Sequence, residues 1–107
     1  MKALDLNTTE APVKWWAARD AHMRSLANAT HYSDDDKLRA ERMKYVLELA
    51  YSAEDVYIAY GKKGISIKVN KARVKNATVL KAVEQLWDEE GVTKKVSAQG
   101  VIYRFTA

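Results

Sequence analysis

The chain has no cysteine. That removes disulfides, thiolate nucleophiles and thiolate metal sites together, and it fits a reducing compartment. Proline occurs once and glycine four times, with every glycine after residue 60. Breaks are therefore scarce in the first half, which predicts helices first and strands later. No run approaches the ~18 apolar residues of a membrane span. The opening stretch MKALDLNTTEAP lacks the apolar core of a signal peptide, so a cytoplasmic protein without membrane association is expected. Internal repeats, low-complexity tracts and Gly/Ser linkers are absent from the sequence.

Catalytic and metal-binding patterns are also missing. The only histidines, His22 and His31, are nine residues apart and have no carboxylate at a helical spacing that would build a His-Glu or two-His site. Asp20 and His22 are two apart, so on a helix they face different ways. Asp34, Asp35 and Asp36 run consecutively, but helical neighbours point about 100° apart and do not converge on one ion. The segment from Gly61 to Gly64 is too short for a phosphate-binding loop and precedes a strand. These absences predict a non-enzymatic protein with no cofactor and no metal.

What remains is a 107-residue chain, 48% hydrophobic, which is enough for one small domain over residues 1–107 with a real core. Its net charge of +4 is unevenly placed. Residues 1–55 hold eight Lys/Arg against ten Asp/Glu, and residues 56–107 hold ten against four. The two halves therefore carry −2 and +6. The basic half is either an ordinary solvated surface or a face for a polyanion, most simply nucleic acid.

Periodicity predicts an α+β fold in the order of two N-terminal helices, a β-hairpin, a third helix and a C-terminal two-stranded hairpin. The first helix is expected from about Thr9 to Ala29, with Pro12 in its first turn. Trp15, Trp16, Met23, Leu26 and Ala27 share one arc with Arg19 inside it. Either the arc is core with a snorkelling arginine, or Trp15, Trp16 and Arg19 form a partner-binding patch. Ser33 is a natural N-cap for the second helix, and the three aspartates suit its positive end. Leu38, Tyr45, Val46, Leu49, Ala50 and Ala53 define its expected core arc, widened by Met43 and Leu47. Lys37, Glu41, Lys44 and Glu48 are expected on its solvated side.

The period then changes to two. Val56, Ile58 and Tyr60 alternate with Tyr57 and Ala59, and Ile65, Ile67 and Val69 alternate with Ser66 and Lys68. A hairpin turning at Gly61–Gly64 follows, with Tyr57, Ser66 and Lys68 on its second face. The third helix is capped by Asn76 or Thr78, buries Val79, Leu80, Val83, Leu86 and Trp87, and stops at Gly91. Two short strands around Ala98-Gln99-Gly100 close the chain.

The stretch over residues 76–107 resembles the end of a winged helix-turn-helix domain. Thr78-Val79, Ala82, Leu86, Glu89-Glu90-Gly91-Val92, Lys94-Lys95, Gly100 and Tyr103 follow that family's order of helix, stop, basic strand, turn and aromatic strand. The resemblance implies a DNA-binding regulator whose third helix enters the major groove. It places Thr78, Lys81 and Gln85 towards the bases, Lys75 and Asn76 at the start of that helix, and Lys94, Lys95, Gln99 and Arg104 on a wing near the phosphates. The chain departs from the family where a second helix should precede the third, because GISIKVNKARVK patterns as a strand. The acids Asp88, Glu89 and Glu90 also oppose the dipole at the helix end.

Two functions follow from different classes. In one, the basic half binds DNA, and Lys62, Lys63, Lys68, Lys75, Lys81, Lys94 and Lys95 should form one surface. In the other, the chain is a small accessory protein of bacterial or phage type that binds and inhibits or regulates a protein partner through Trp15, Trp16 and Arg19.

Overall fold

In the computed structural model, residues 22–106 are described. The expected Trp15, Trp16 and Arg19 patch lies outside them. Helix α1 is described over 22–29. It is followed by α2 (Asp34–Ala50), a 3-10 turn (Ala53–Asp55), β1 (Val56–Tyr60), β2 (Ile65–Asn70), α3 (Ala77–Glu89), β3 (Thr93–Ser97) and β4 (Gly100–Phe105). The fold is α+β, and the described residues form three helices and a four-stranded antiparallel sheet in the order β1-β2-β4-β3. Helices α2 and α3 pack on one face of that sheet.

The expected hairpin forms. Val56 pairs with Val69, Ile58 with Ile67 and Tyr60 with Ile65. β4 then lies against β2, placing Phe105, Tyr103 and Val101 opposite Ile65, Ile67 and Val69. These β2 and β4 side chains are buried, so strand alternation gives the sheet an apolar inner face. The C-terminal hairpin is thus built into the sheet, since β4 has a partner on each side. In the position where a winged helix has its second helix, this chain has β1 and β2.

Helix α2 begins as expected. Ser33 accepts a hydrogen bond from the Asp36 N–H at 3.1 Å, and all three aspartates lie in the first turn. Its orientation differs from the expectation. The core takes Met43, Leu47 and Ala50, which belong to the expected arc or its widening, and adds Ala40, whereas Leu38, Tyr45 and Leu49 are 48, 64 and 47% exposed. The buried stripe is rotated by roughly a third of a turn from the expected arc, as helical spacing of these positions shows. Ala40 and Ala50 are fully buried in that stripe, and summed hydrophobicity does not register the tight packing that small side chains permit. Of the residues expected on its solvated side, Glu41 is exposed, while Lys37, Lys44 and Glu48 are half-buried, with Lys44 and Glu48 paired at 3.0 Å.

Asn76, one of the two expected caps, starts α3 by accepting from the Val79 N–H at 3.1 Å. Trp87 is buried and meets Tyr103 edge-on, with ring centroids 5.5 Å apart. Val79, Leu80 and Val83 pack beside the core, but Leu86 is exposed. Leu86 sits about 100° round the helix from Trp87, at the margin of the expected arc. Gly91, at φ +81°, ends the helix as expected.

The two sheet edges are treated differently. At β1, the Tyr60 N–H donates to Ser25 Oγ at 2.9 Å, and Asn28 Nδ2 donates to the Tyr60 carbonyl at 3.1 Å. Helix α1 therefore covers part of that edge. At the other edge every β3 residue is exposed, with two adjacent lysines in the strand. No helix among the described residues is long and apolar enough to cross a membrane.

Candidate functional site

The alternation that buries one face of the sheet determines what the other face presents. Tyr57 and Ala59 of β1, Ser66, Lys68 and Asn70 of β2, Ile102 and Arg104 of β4, and Thr93, Lys95 and Ser97 of β3 face away from α2 and α3. The pairing aligns them in rows. One row reads Tyr57, Lys68, Ile102, Lys95, and the next reads Ala59, Ser66, Arg104, Thr93. Three of these side chains are cationic and none is acidic.

This separation of charge extends through the C-terminal half. Its four acids, Glu84, Asp88, Glu89 and Glu90, all lie on α3 or at its C-cap, on the far side of the sheet. Lys62 and Lys63 are exposed in the β1–β2 turn. Lys68 stands between two shallow hollows. One, of about 370 Å³, is shared with Arg24, Ser25 and Asn28 of α1. The other, of about 190 Å³, is shared with Tyr57, Ser97 and Gln99. The outer face is thus a cationic floor with α1 as a wall along one side.

The residues expected to contact DNA are divided between two places. Lys95 and Arg104 lie on the outer face, and Gln99 is in the turn at its rim. Thr78, Lys81 and Gln85 share an exposed hollow of about 500 Å³ on α3, in the helical layer. Asn76 is occupied as the α3 cap. Lys75 is held to the end of α2, its Nζ donating to the Glu48 carbonyl at 2.9 Å, where a cation complements the helix dipole. Lys94 is opposite Tyr103 in the inner row and pairs with Glu84 at 2.6 Å. Adjacent strand residues point to opposite faces, so Lys94 and Lys95 do not act as a pair. The seven lysines expected on one surface do not form one. Lys68 and Lys95 lie on the outer face and Lys62 and Lys63 in the β1–β2 turn, while Lys75 and Lys81 are in the helical layer and Lys94 is on the inner side of β3. Lys68 and Tyr57 belong with the outer-face set, and carrying the hairpin's alternation across β3 and β4 would have selected them.

A second polar cluster lies on the inner side. The Tyr51 and Tyr103 hydroxyls are 2.9 Å apart, Tyr103 donates to Glu84 Oε2 at 2.5 Å, and Lys94 reaches the same oxygen. Glu84, Lys94 and Tyr103 border a cleft of about 610 Å³ beside Trp87 and Asp88. Burial, followed by donation to Glu84, holds the Tyr103 hydroxyl far above its ordinary value. Burial alone would raise the Glu84 carboxyl, but hydrogen bonds from Lys94 and Tyr103 outweigh it and hold Glu84 below 4.5. The cluster therefore acts as an electrostatic tie between α3 and the C-terminal hairpin, with Tyr103 protonated and Glu84 ionised at neutral pH.

The tie has a pH signature. Because the folded value of Glu84 is depressed, its contribution is fully present above 4.5 and is lost as pH falls through the folded value. Glu84→Gln is expected to lower the melting temperature at pH 7, and the gap from the parent should narrow below pH 4.5. Thermal melts of both proteins from pH 3 to 7 test this. A gap that stays constant across the range would show that the charge of Glu84 does not stabilise the fold.

Among the described residues, no three His, Asp or Glu side chains converge in a way that could hold a metal ion. Comparisons with protein-family models, curated proteins and solved structures find no match to this chain.

Proposed function

We propose that this protein is a small non-enzymatic nucleic-acid-binding module that holds a phosphate backbone on the outer face of its sheet. The observation that carries this reading is the composition of that face, with Lys68, Lys95 and Arg104 and no carboxylate at any of its strand positions. Cations in such an array release condensed counterions when they neutralise phosphates, and that release supplies sequence-independent affinity. Ser66, Asn70, Thr93, Ser97 and Gln99 add uncharged hydrogen-bonding groups around the cations. DNA docking through α3, as in a winged helix, is the less favoured mode. Thr78, Lys81 and Gln85 are exposed there, but Glu84, Asp88 and Glu89 belong to the same helix.

The direct test is fluorescence anisotropy of the full chain with labelled random-sequence DNA, single-stranded and duplex, at about 50 and 200 mM salt. Three neutralised phosphates imply a log–log slope of roughly −2 to −3, which is a roughly 15- to 60-fold loss across that range. Absence of binding to both forms at the lower salt would reject nucleic acid as the partner. A regulator of a protein partner is the second reading, favoured by the exposed Leu38, Tyr45 and Leu49 stripe on α2.

A further inference from the structure

The proposed outer face differs in shape from duplex-reading elements. A B-form major groove is about 12 Å wide and admits one helix or a two-stranded ribbon. Three strand spacings of roughly 4.8 Å put the outer strands of this sheet about 14 Å apart before side chains are added. Helix α1 widens the body further, since Arg24, Ser25 and Asn28 line the same hollow as Ser66 and Lys68. No strand pair of the outer face is free to descend alone, because β2 and β4 are both central. Against a duplex, the face can reach only the few phosphates nearest to it. A flexible strand can instead follow the floor from one edge to the other.

The order of side chains fits such a strand. Across the four strands the middle row alternates a ring, a cation, an aliphatic side chain and a cation, in Tyr57, Lys68, Ile102 and Lys95. Tyr57 is 45% exposed although it lies within a regular strand. An exposed ring beside cations is a stacking position for an unpaired base, and bases in a duplex do not offer their faces. Arg104, in the neighbouring row, lies two positions along β4 from Ile102 and extends the cationic track.

Building on the nucleic-acid reading, we propose that the outer sheet face binds single-stranded nucleic acid, stacking a base on Tyr57 and holding the backbone with Lys68, Lys95 and Arg104. The test uses the full chain, a fluorescein-labelled deoxythymidine 20-mer, and a labelled mixed-sequence 20-mer both alone and annealed to its complement, all at about 50 mM salt. Both single strands are expected to bind at least tenfold more tightly than the duplex. Tyr57→Thr, which keeps a strand-forming residue but removes the ring, should weaken single-strand binding about tenfold, and Tyr57→Phe should restore it. Neither variant should alter duplex affinity by more than about twofold. Circular dichroism melts confirm that the variants remain folded, and Tyr57→Leu provides a second ring-free variant if Tyr57→Thr does not. Duplex binding as tight as single-strand binding would overturn the inference and leave nucleic-acid binding standing. Unchanged single-strand affinity in the folded ring-free variant would have the same meaning. No binding to any of the three probes would overturn both.

Discussion

Gly100→Ala is expected to unfold most of the protein at temperatures where the parent is folded. Gly100 opens β4 at φ +153°, paired with Asn70 on one side and Ser97 on the other. A Cβ built there falls 2.0 Å from the Val69 carbonyl oxygen, well inside any tolerated contact. Val69 cannot yield, because it is buried and paired with both Val56 and Val101. The turn cannot yield freely either, since the Lys71 N–H donates to the Gln99 carbonyl at 2.8 Å. Relief therefore requires opening the β2–β4 ladder at the centre of the sheet. A cost of about 4 kcal/mol or more is expected for such a steric defect, against a total stability of about 5–15 kcal/mol for a typical domain. At about 4–8 °C per kcal/mol for a domain of this size, the melting temperature should fall by at least about 15 °C. Gly91→Ala is the control. Gly91 also has positive φ, at +81°, but nothing lies within 4 Å of its added Cβ, so only the left-handed backbone is penalised, at about 1 kcal/mol. Melts followed at 222 nm compare the two. If Gly100→Ala melts within a few degrees of the parent, the close β2–β4 approach is not what stabilises the sheet.

Gly100 also illustrates what was legible in the sequence. Its place in a turn could be read from the flanking strand patterns, but its contact with Val69 depends on β4 pairing with β2, thirty residues earlier in the chain. Strand alternation was readable for the same local reason. Val56, Ile58, Ile65, Ile67 and Val69 pattern with period two, and the hairpin follows that pattern residue by residue. Helix α2 was harder because apolar residues surround much of its circumference, so hydrophobicity alone does not choose a face. The buried side is the one with the small Ala40 and Ala50 together with Met43 and Leu47, and Leu38, Tyr45 and Leu49 are left outside. Among the candidate site residues, Lys95, Gln99 and Arg104 fell together, while Lys94 was separated from Lys95 by the pleat and taken by Glu84. A pairing between α3 and β3 leaves no local trace in the sequence. The role of Ser25 and Asn28 in covering β1 was hidden for the same reason, since both act across more than thirty residues.

Replacing Lys68, Lys95 and Arg104 together by glutamine is expected to weaken nucleic-acid binding by roughly a hundredfold at about 100 mM salt. Each cation is taken to contribute about 1 kcal/mol through a charge-assisted phosphate contact, and about 1.4 kcal/mol corresponds to tenfold in affinity. The salt slope should fall by about 2 to 3, because each lost contact removes nearly one released counterion. Glutamine is preferred to glutamate because it removes attraction without adding repulsion, so a loss of binding reports the contacts themselves. The fold should tolerate the change. None of the three has an ion-pair partner among the described residues, and none belongs to the buried core. The decisive comparison is with Lys81→Ala and Gln85→Ala combined, which alters the exposed hollow on α3 and leaves the outer face intact. If the outer face binds the backbone, the α3 variant should stay within about threefold of the parent and keep its salt slope. The reverse pattern, with the α3 variant impaired and the triple variant near parental affinity, would place the contact on the third helix and reject the outer face. The two surfaces lie on opposite sides of one sheet, so the pair of variants locates the interface without requiring the nucleic-acid sequence.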